Sequence, residues 1–296
     1  MDRTELLRKI STFPLIASVL AEHLVSGDFR SIFKGQGIEA DEVRHYERGD
    51  DVRTIDWNVS ARFGTPYVKM YREEREMTVF LVLDCSASMY CGSTLMRRYD
   101  QGLLCASLIA FSGEKAGQRV GALFFDREIT KVFLPRKGRV HIMAMISSAL
   151  RMNPRVQGSD LRAALVGLGR FLKRRSLVVV ISDFFSVHWE QELGNLCRKH
   201  DVIALRIEDP LDTVMAGMGL ISLEDPETRI TYQVPASFPG FSSAWSAWHE
   251  QKRSAWQRIC RASGAGFMDI STAEDAPAKL IRFFGSRGIS RRPRVL

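Results

Sequence analysis

The sequence predicts an α/β fold with a doubly wound, mostly parallel sheet, and three observations carry that expectation. Uninterrupted runs of β-branched and apolar residues recur at 78–83 (TVFLVL), 177–181 (LVVVI) and 202–207 (VIALRI). Segments with apolar residues at helical spacing separate them, and strands alternating with helices build parallel sheets covered on both faces. Serine and aspartate residues follow the strands, where open sheets of this kind bind ligands.

The elements follow in chain order. Residues 1–77 are charged, with few long apolar runs, and read as an N-terminal helical segment followed by a charged, β-containing lobe. Leu6, Leu7 and Ile10 fit the turns of an amphipathic helix. Arg8 and Lys9 before the apolar run 10–21 could open a secretory signal, but Asp2 and Glu5 spoil its basic region and Pro14 interrupts it. A cytoplasmic protein is therefore expected. The alternating stretch 67–77 reads as a strand, with Glu73, Glu74 and Glu76 on its solvated face.

From Thr78 the pattern changes. The strand at 78–83 precedes a helix over 97–117, with Leu103, Leu104, Leu108 and Phe111 at helical spacing. Residues 119–125 (RVGALFF) form the next strand, and 129–134 turn back as an edge hairpin that Pro135 stops. Helices are expected over 141–152 and 161–172, then the strand 177–181, a helix over 190–200 and the strand 202–207. Residues 220–223 and 230–234 flank Asp225-Pro226-Glu227-Thr228, a turn signal, so they form a small inserted hairpin. A helix over 245–262, a strand at 266–270 and a helix over 276–284 close the pattern. The expected division is thus 1–77, an α/β domain over 78–286, and a basic tail over 287–296.

Composition narrows the function class. With 296 residues, 45% hydrophobic and 26% charged, the chain can bury a full core. Its net charge of +8 favours acidic partners in general. Part of the excess sits in Lys173-Arg174-Arg175 and in 287–294, which read as solvated ends because no aromatic residues alternate with them. A nucleic-acid-associated basic protein is the alternative these charges support, but stacking platforms and a reading helix are missing, so nucleic acid is not the expected partner. The five cysteines (Cys85, Cys91, Cys105, Cys197 and Cys260) are scattered and form no Cys-x-x-Cys pair, as expected of free thiols in a reducing compartment. No stretch has the apolar length of a membrane span.

Chemistry concentrates at three loops. Asp84, Ser86 and Ser88 follow the first buried strand, Asp183 follows the second, and Ser159 with Asp160 lies where a glycine loop opens a helix. Carboxylate and hydroxyl oxygens are hard ligands that suit Mg²⁺ or Mn²⁺ better than zinc. Taken singly, each residue could equally be a turn or helix cap. Their joint placement at three loops of one sheet edge is what points to a metal site.

Asp84-x-Ser86-x-Ser88 resembles the metal-ion-dependent adhesion site of von Willebrand factor type A domains. In that family a Thr from a second loop and an Asp from a third complete the set; the matching positions are Ser159, which keeps the hydroxyl but not the methyl, and Asp183. The preceding segment is more specific. Gly37-Ile38-Glu39, Arg44-His45-Tyr46, Gly49-Asp50-Asp51-x-Arg53-x-Ile55-Asp56-Trp57 and Ala61-Arg62 resemble the signature of the bacterial domain-of-unknown-function 58 family, where this segment runs into a von Willebrand A-like domain. The resemblance spans roughly residues 30–285 and implies a protein that works beside MoxR-type AAA+ ATPases as an adaptor or co-chaperone. The dense charges of the Asp50–Trp57 string are expected to form a structural ion-pair and hydrogen-bond network, with a docking surface as the alternative.

Catalytic readings fare worse. A metal-dependent phosphohydrolase of the haloacid-dehalogenase type needs a second carboxylate at position 86 as general acid, and Ser86 cannot serve. Ser86 and Ser88 lack the Gly-x-Ser-x-Gly flanks of a serine hydrolase, and neither nucleotide-binding glycine pattern follows a strand. The expectation is a non-catalytic, metal-dependent protein-binding scaffold. An acidic side chain of a partner protein would complete the metal shell, and the partner would be the ATPase or its client.

Overall fold

The computed structural model describes residues 17–21, 38–47, 50–73, 77–94, 96–153, 158–213, 219–238 and 240–289. Gly37, Gly49, Glu74, Glu76, the amphipathic turns expected at Leu6, Leu7 and Ile10, and residues 290–296 lie outside them. The chain divides into two compact units, residues 28–76 and residues 1–27 with 77–296.

In the smaller unit, β1 (Ile38–His45) pairs antiparallel with β2 (Tyr67–Glu73), with a bulge between Ala40 and Glu42. The charged string between them is mostly capping chemistry. Asp51 accepts from the Arg53 amide and caps a 3-10 turn over Val52–Thr54. Asp56 accepts from the amides of Asn58 and Val59 and caps α1 (Trp57–Phe63), which Gly64 ends in the left-handed conformation. Asp50 pairs with Arg44 at 2.6 Å and accepts from the Glu47 amide. Trp57 is left 68% exposed.

The larger unit is built on a six-stranded sheet in the order β10-β7-β6-β3-β4-β5. β3 (Thr78–Asp84), β4 (Arg119–Phe125), β6 (Leu177–Ser182), β7 (Asp201–Glu208) and β10 (Gly266–Ser271) are parallel, and β5 (Ile129–Arg136) runs antiparallel at one edge. This is the mixed α/β, mostly parallel architecture that the alternating runs predict. Along β3 and β6, alternate residues serve opposite faces. Phe80, Val82, Val178 and Val180 join one core cluster with α4 (Leu161–Phe171), α5 (Glu190–Cys197) and α7 (Phe241–Ser263). On the other face lies α2 (Arg98–Lys115), buried over most of its length and flanked by α3 (Arg139–Leu150) and α8 (Ala276–Ile289). The two covered faces are why these strands read as continuous apolar runs.

Residues 17–21 are helical, with Leu20 fully buried, and Ser18 accepts a hydrogen bond from Lys115 at the end of α2. A short α6 (Pro210–Thr213) follows β7, and the inserted hairpin is β8 (Leu220–Glu224) with β9 (Thr231–Pro235).

Several boundaries differ from the sequence expectation: α8 runs on to Ile289, past the expected end at 284 and into the expected tail, and α5 ends at Cys197 rather than at 200. β5 continues past Pro135 to Arg136, because an edge strand has no outer partner and the pairing with β4 skips register there. α3 starts at Arg139, directly after Gly138 in a positive-φ conformation, and α7 starts four residues early, at Phe241. Among the described residues no helix is long and apolar enough to cross a membrane.

Candidate functional site

β3 and β6 are neighbours, with Leu83 opposite Ile181, so the residues that end them emerge side by side. From β3 the chain crosses toward β4, and from β6 it crosses toward β7 in the other direction. The carboxyl ends of β3 and β6 therefore flank the switch point of the sheet, the place where sheets of this kind bind ligands.

Asp84 is fully buried at this point. Its Oδ1 accepts from the Ser86 amide at 2.9 Å, and its Oδ2 accepts from the Ser182 hydroxyl at 2.6 Å and from the Ser159 hydroxyl at 3.4 Å. Ser86 is fully buried, and its Oγ lies 3.1 Å from Ser88 Oγ at the start of the 3-10 turn Ala87–Tyr90. Asp183 is 4% exposed. Its Oδ1 accepts from the Phe185 amide at 3.1 Å, while its Oδ2 is buried with no hydrogen-bond partner among the described residues. Phe184, next in the chain, sits at φ 58, a left-handed conformation that costs a non-glycine residue about 1–2 kcal/mol. Such strain persists where the surroundings enforce it, and it turns the chain sharply beside Asp183.

The helix-cap question at 159–160 has a clear answer. Asp160 is the N-cap of α4, accepting from the Ala163 amide at 2.8 Å. Its own amide donates to the Asp126 carbonyl, and Ser186 Oγ donates to the Ser159 carbonyl at 3.0 Å. With the capping role taken by Asp160, the Ser159 hydroxyl is left to face Asp84. The structure thus gathers Asp84, Ser86, Ser88 and Ser159 in one hydrogen-bonded group, with Asp183 on the adjoining strand end.

Two contributors were not singled out in the sequence. Ser182 makes the shortest hydrogen bond to Asp84; its hydroxyl at the end of LVVVIS was legible, its direction was not. Glu227 comes from the turn between β8 and β9, 139 residues from Ser88, and its Oε1 accepts from the Ser88 amide at 2.9 Å. Its Oε2 is buried with no hydrogen-bond partner among the described residues. No local signal marks Glu227 as more than a turn residue.

The electrostatics follow from this geometry. Burial, and then the neighbouring Asp183 carboxylate, push Asp84 up to about 7. Burial likewise raises Glu227, with Asp183 and Asp225 adding to it against the hydrogen bonds from Ser88. Arg98 supplies the nearby positive charge. Burial would lower its guanidinium, but Asp212 and then Asp183 outweigh that and hold it above its ordinary value. Its two amino groups are spoken for, one donating to Asp212 Oδ1 at 2.5 Å and the other to the Ser88 carbonyl at 3.3 Å. The site is left rich in acceptor oxygens with too little positive charge.

That donor set fits a hard divalent cation: carboxylate and hydroxyl oxygens, one of the carboxylate oxygens buried with no hydrogen-bond partner among the described residues. The described residues contain no cluster of three or more His, Cys, Asp or Glu side chains placed to hold a metal. A set resting on two carboxylates and hydroxyls does not call for one, since Mg²⁺ usually takes one or two carboxylates and keeps waters. All five cysteines are free, and burial raises the thiol of each, away from the thiolate form that soft metals need.

Comparison with known proteins leaves the chemistry open. The chain is 31% identical to an uncharacterised protein of Mycobacterium tuberculosis over 293 residues, covering 97% of this chain and 91% of that protein. An uncharacterised protein of Mycobacterium bovis matches to the same extent. Among solved structures it is similar to the conserved hypothetical protein BatB of Bacteroides thetaiotaomicron, at 13% identity and a TM-score of 0.49, over 72% of this chain and 100% of that one. An aerotolerance-related membrane protein of Bacteroides fragilis is similar at 13% identity and a TM-score of 0.49, over 72% of this chain and 98% of that one. The family described as "Protein of unknown function DUF58" matches residues 42–254, and the chain belongs to that family.

Proposed function

We propose that this DUF58 protein is a non-catalytic, cation-dependent protein-binding scaffold or adaptor on a von Willebrand A-like sheet. Asp84, Ser86, Ser88, Ser159 and Asp183 hold Mg²⁺ or Mn²⁺, directly or through water. A bound divalent cation supplies a positive centre that accepts a further carboxylate, and a Glu or Asp of a partner protein fills that position. The observation that carries the reading is Asp183 Oδ2, buried with no hydrogen-bond partner among the described residues, at the strand end next to the fully buried Asp84. Two such carboxylates at the switch point cost the fold free energy unless a cation joins them.

A binding role is favoured over hydrolysis because Ser86 occupies the place of the required general acid and its hydroxyl is engaged with Ser88. The proposed partner is a MoxR-type AAA+ ATPase, with this chain assisting the assembly or maturation of other proteins in the cytoplasm. That part rests on the resemblance of the Asp50–Trp57 segment. Affinity that needs both cation and partner gives reversible assembly.

The test is a pull-down from native lysate, with Mg²⁺ or with chelator, comparing wild type with Asp84→Ala. Partners retained by wild type with Mg²⁺ only are the expected result. The same partners in all four conditions would rule out cation-gated binding.

A further inference from the structure

β7 carries a charge where its pattern calls for a hydrocarbon. Val202 and Ala204 belong to the core cluster shared with α5 and α7, and the same face of the strand two residues on is Arg206, 3% exposed. An arginine is almost never buried this far unless it is paired. Glu208 Oε1 stands 3.3 Å from Arg206 Nη1, yet Nη1 makes no hydrogen bond among the described residues. The same Glu208 oxygen lies 3.7 Å from Arg253 Nε, so two guanidinium groups share it. The Arg206 guanidinium lies over the indole of Trp256, 5.7 Å from the ring centroid. Trp256 is also 3% exposed, and its Nε1 is a second buried donor with no hydrogen-bond partner among the described residues.

Both residues line one cavity of about 140 Å³, reached from the chain that leaves β6. Phe184, Trp189, Ala255 and Ile259 make its wall largely apolar. Phe184 is packed there against Trp189 and Trp256, with ring centroids 5.2 Å and 5.6 Å away. An apolar cavity of about 150 Å³ takes one benzene ring, so this space suits a single ring or branched chain. Buried donors are normally satisfied, and a small apolar cavity with two unmet donors is complementary to a hydrocarbon group that bears an acceptor. The fixed charge of Arg206, with the Lys252 ammonium also at the cavity, selects a carboxylate over a neutral acceptor, because hydrogen bonds between ionised partners are about twice as strong. The two acids in the wall do not cancel this. Glu190 is exposed, and Asp183 accepts from the Phe185 amide and stands in the field of Arg98.

We propose that this cavity binds an aryl or branched-chain monocarboxylate, with the carboxylate on Arg206 Nη1 and Trp256 Nε1 and the hydrocarbon against Phe184, Trp189 and Ile259. Asp183 borders the cavity, so the site adjoins the proposed cation centre without depending on it. Such a group arrives either as a free acid or as the carboxyl end of a peptide chain.

Calorimetric titration of wild type with benzoate, benzamide and the peptide Gly-Gly-Phe tests this, with thermal unfolding of each variant as the check of folding. Benzoate binds wild type, and benzamide, its neutral isostere, binds about tenfold more weakly. Trp256→Phe keeps an aromatic wall, removes the donor and weakens benzoate about tenfold. Ala255→Leu leaves both donors in place, fills the cavity from a half-buried helix position and abolishes binding, which keeps the site testable if Trp256→Phe does not fold. Benzoate binding tighter than Gly-Gly-Phe supports the site with a free acid as its ligand, and the reverse order supports it with a peptide terminus. Equal affinity for benzoate and benzamide, unchanged benzoate binding in Ala255→Leu, or no binding of benzoate and peptide to wild type would each overturn the site.

Discussion

Asp84 carries an electrostatic cost that a neutral residue of the same shape would not. Its value in the folded chain, about 7, lies above that of an unfolded aspartate. Protonated Asp84 therefore costs nothing below about pH 4, and ionisation withdraws stability as the pH rises toward 7. Asn at this position still accepts from the Ser86 amide, and its amide group can donate to Ser182 Oγ. In chelator, Asp84→Asn is expected to stabilise the protein by about 1–3 kcal/mol at pH 8 and to change little at pH 4. The proposed cation site further predicts that Mg²⁺ stabilises wild type and leaves Asp84→Asn unchanged. Urea unfolding at the two pH values measures this; a less stable variant at pH 8 would mean that Asp84 is compensated within the chain. The residue scale also shows what the local alphabet conceals. Asp51, Asp56 and Asp160 are caps whose partners lie two or three residues on, and Asp183 likewise accepts from Phe185 two residues on, whereas Asp84 also reaches across to Ser182 on the neighbouring strand. Asp84, Asp160 and Asp183 each stand beside an apolar run, and only the partner distinguishes them.

Elements hold the site in place through close packing at a few glycines. A Cβ on Gly121 in β4 would lie 2.8 Å from the Phe133 carbonyl oxygen of β5 and 2.8 Å from the Phe80 ring. Neither the neighbouring strand backbone nor a fully buried ring can yield, so Gly121→Ala is expected to destabilise by about 1–3 kcal/mol. Gly167 in α4 is a useful contrast. A Cβ there would collide with the Cδ1 end of Ile129, a partly buried side chain that can turn aside. Alanine also favours a helix over glycine by about 1 kcal/mol, so Gly167→Ala is expected to be close to neutral. Thermal unfolding of the two variants side by side checks the ranking; equal losses would show that β4 and β5 can separate. At this scale the sequence was most legible for the central strands, where burial on both faces enforces an unbroken apolar run. It was least legible at β5 and at the start of α7. Edge position relaxed the rule against Pro135, and residues 241–244 carry no apolar signal strong enough to extend the helix.

For the whole molecule, the net charge of +8 raises the question of nucleic acid. Lys173, Arg174 and Arg175 are exposed, but they lie between α4 and β6, before the amino end of β6 and away from the site at its carboxyl end. Binding to random duplex DNA is therefore expected to be weak and lost by about 150 mM salt, with no effect of Asp84→Ala, as measured by filter retention over a salt series. Tight retention at physiological salt would instead favour a nucleic-acid role. What the sequence determined by itself was the set of covered strands, the alternation with helices, and the hard-ligand residues that follow them. Those are local properties, fixed by what a strand buried on both faces must contain and by which side chains suit its end. The tertiary structure decided the pairing order, which sets β3 beside β6 and makes their ends a switch point. It also decided that Ser182 bonds Asp84 and that Glu227 reaches Ser88 from another part of the chain. Register between strands and the reach of an inserted hairpin are long-range packing outcomes, and no period or spacing in a single sequence encodes them.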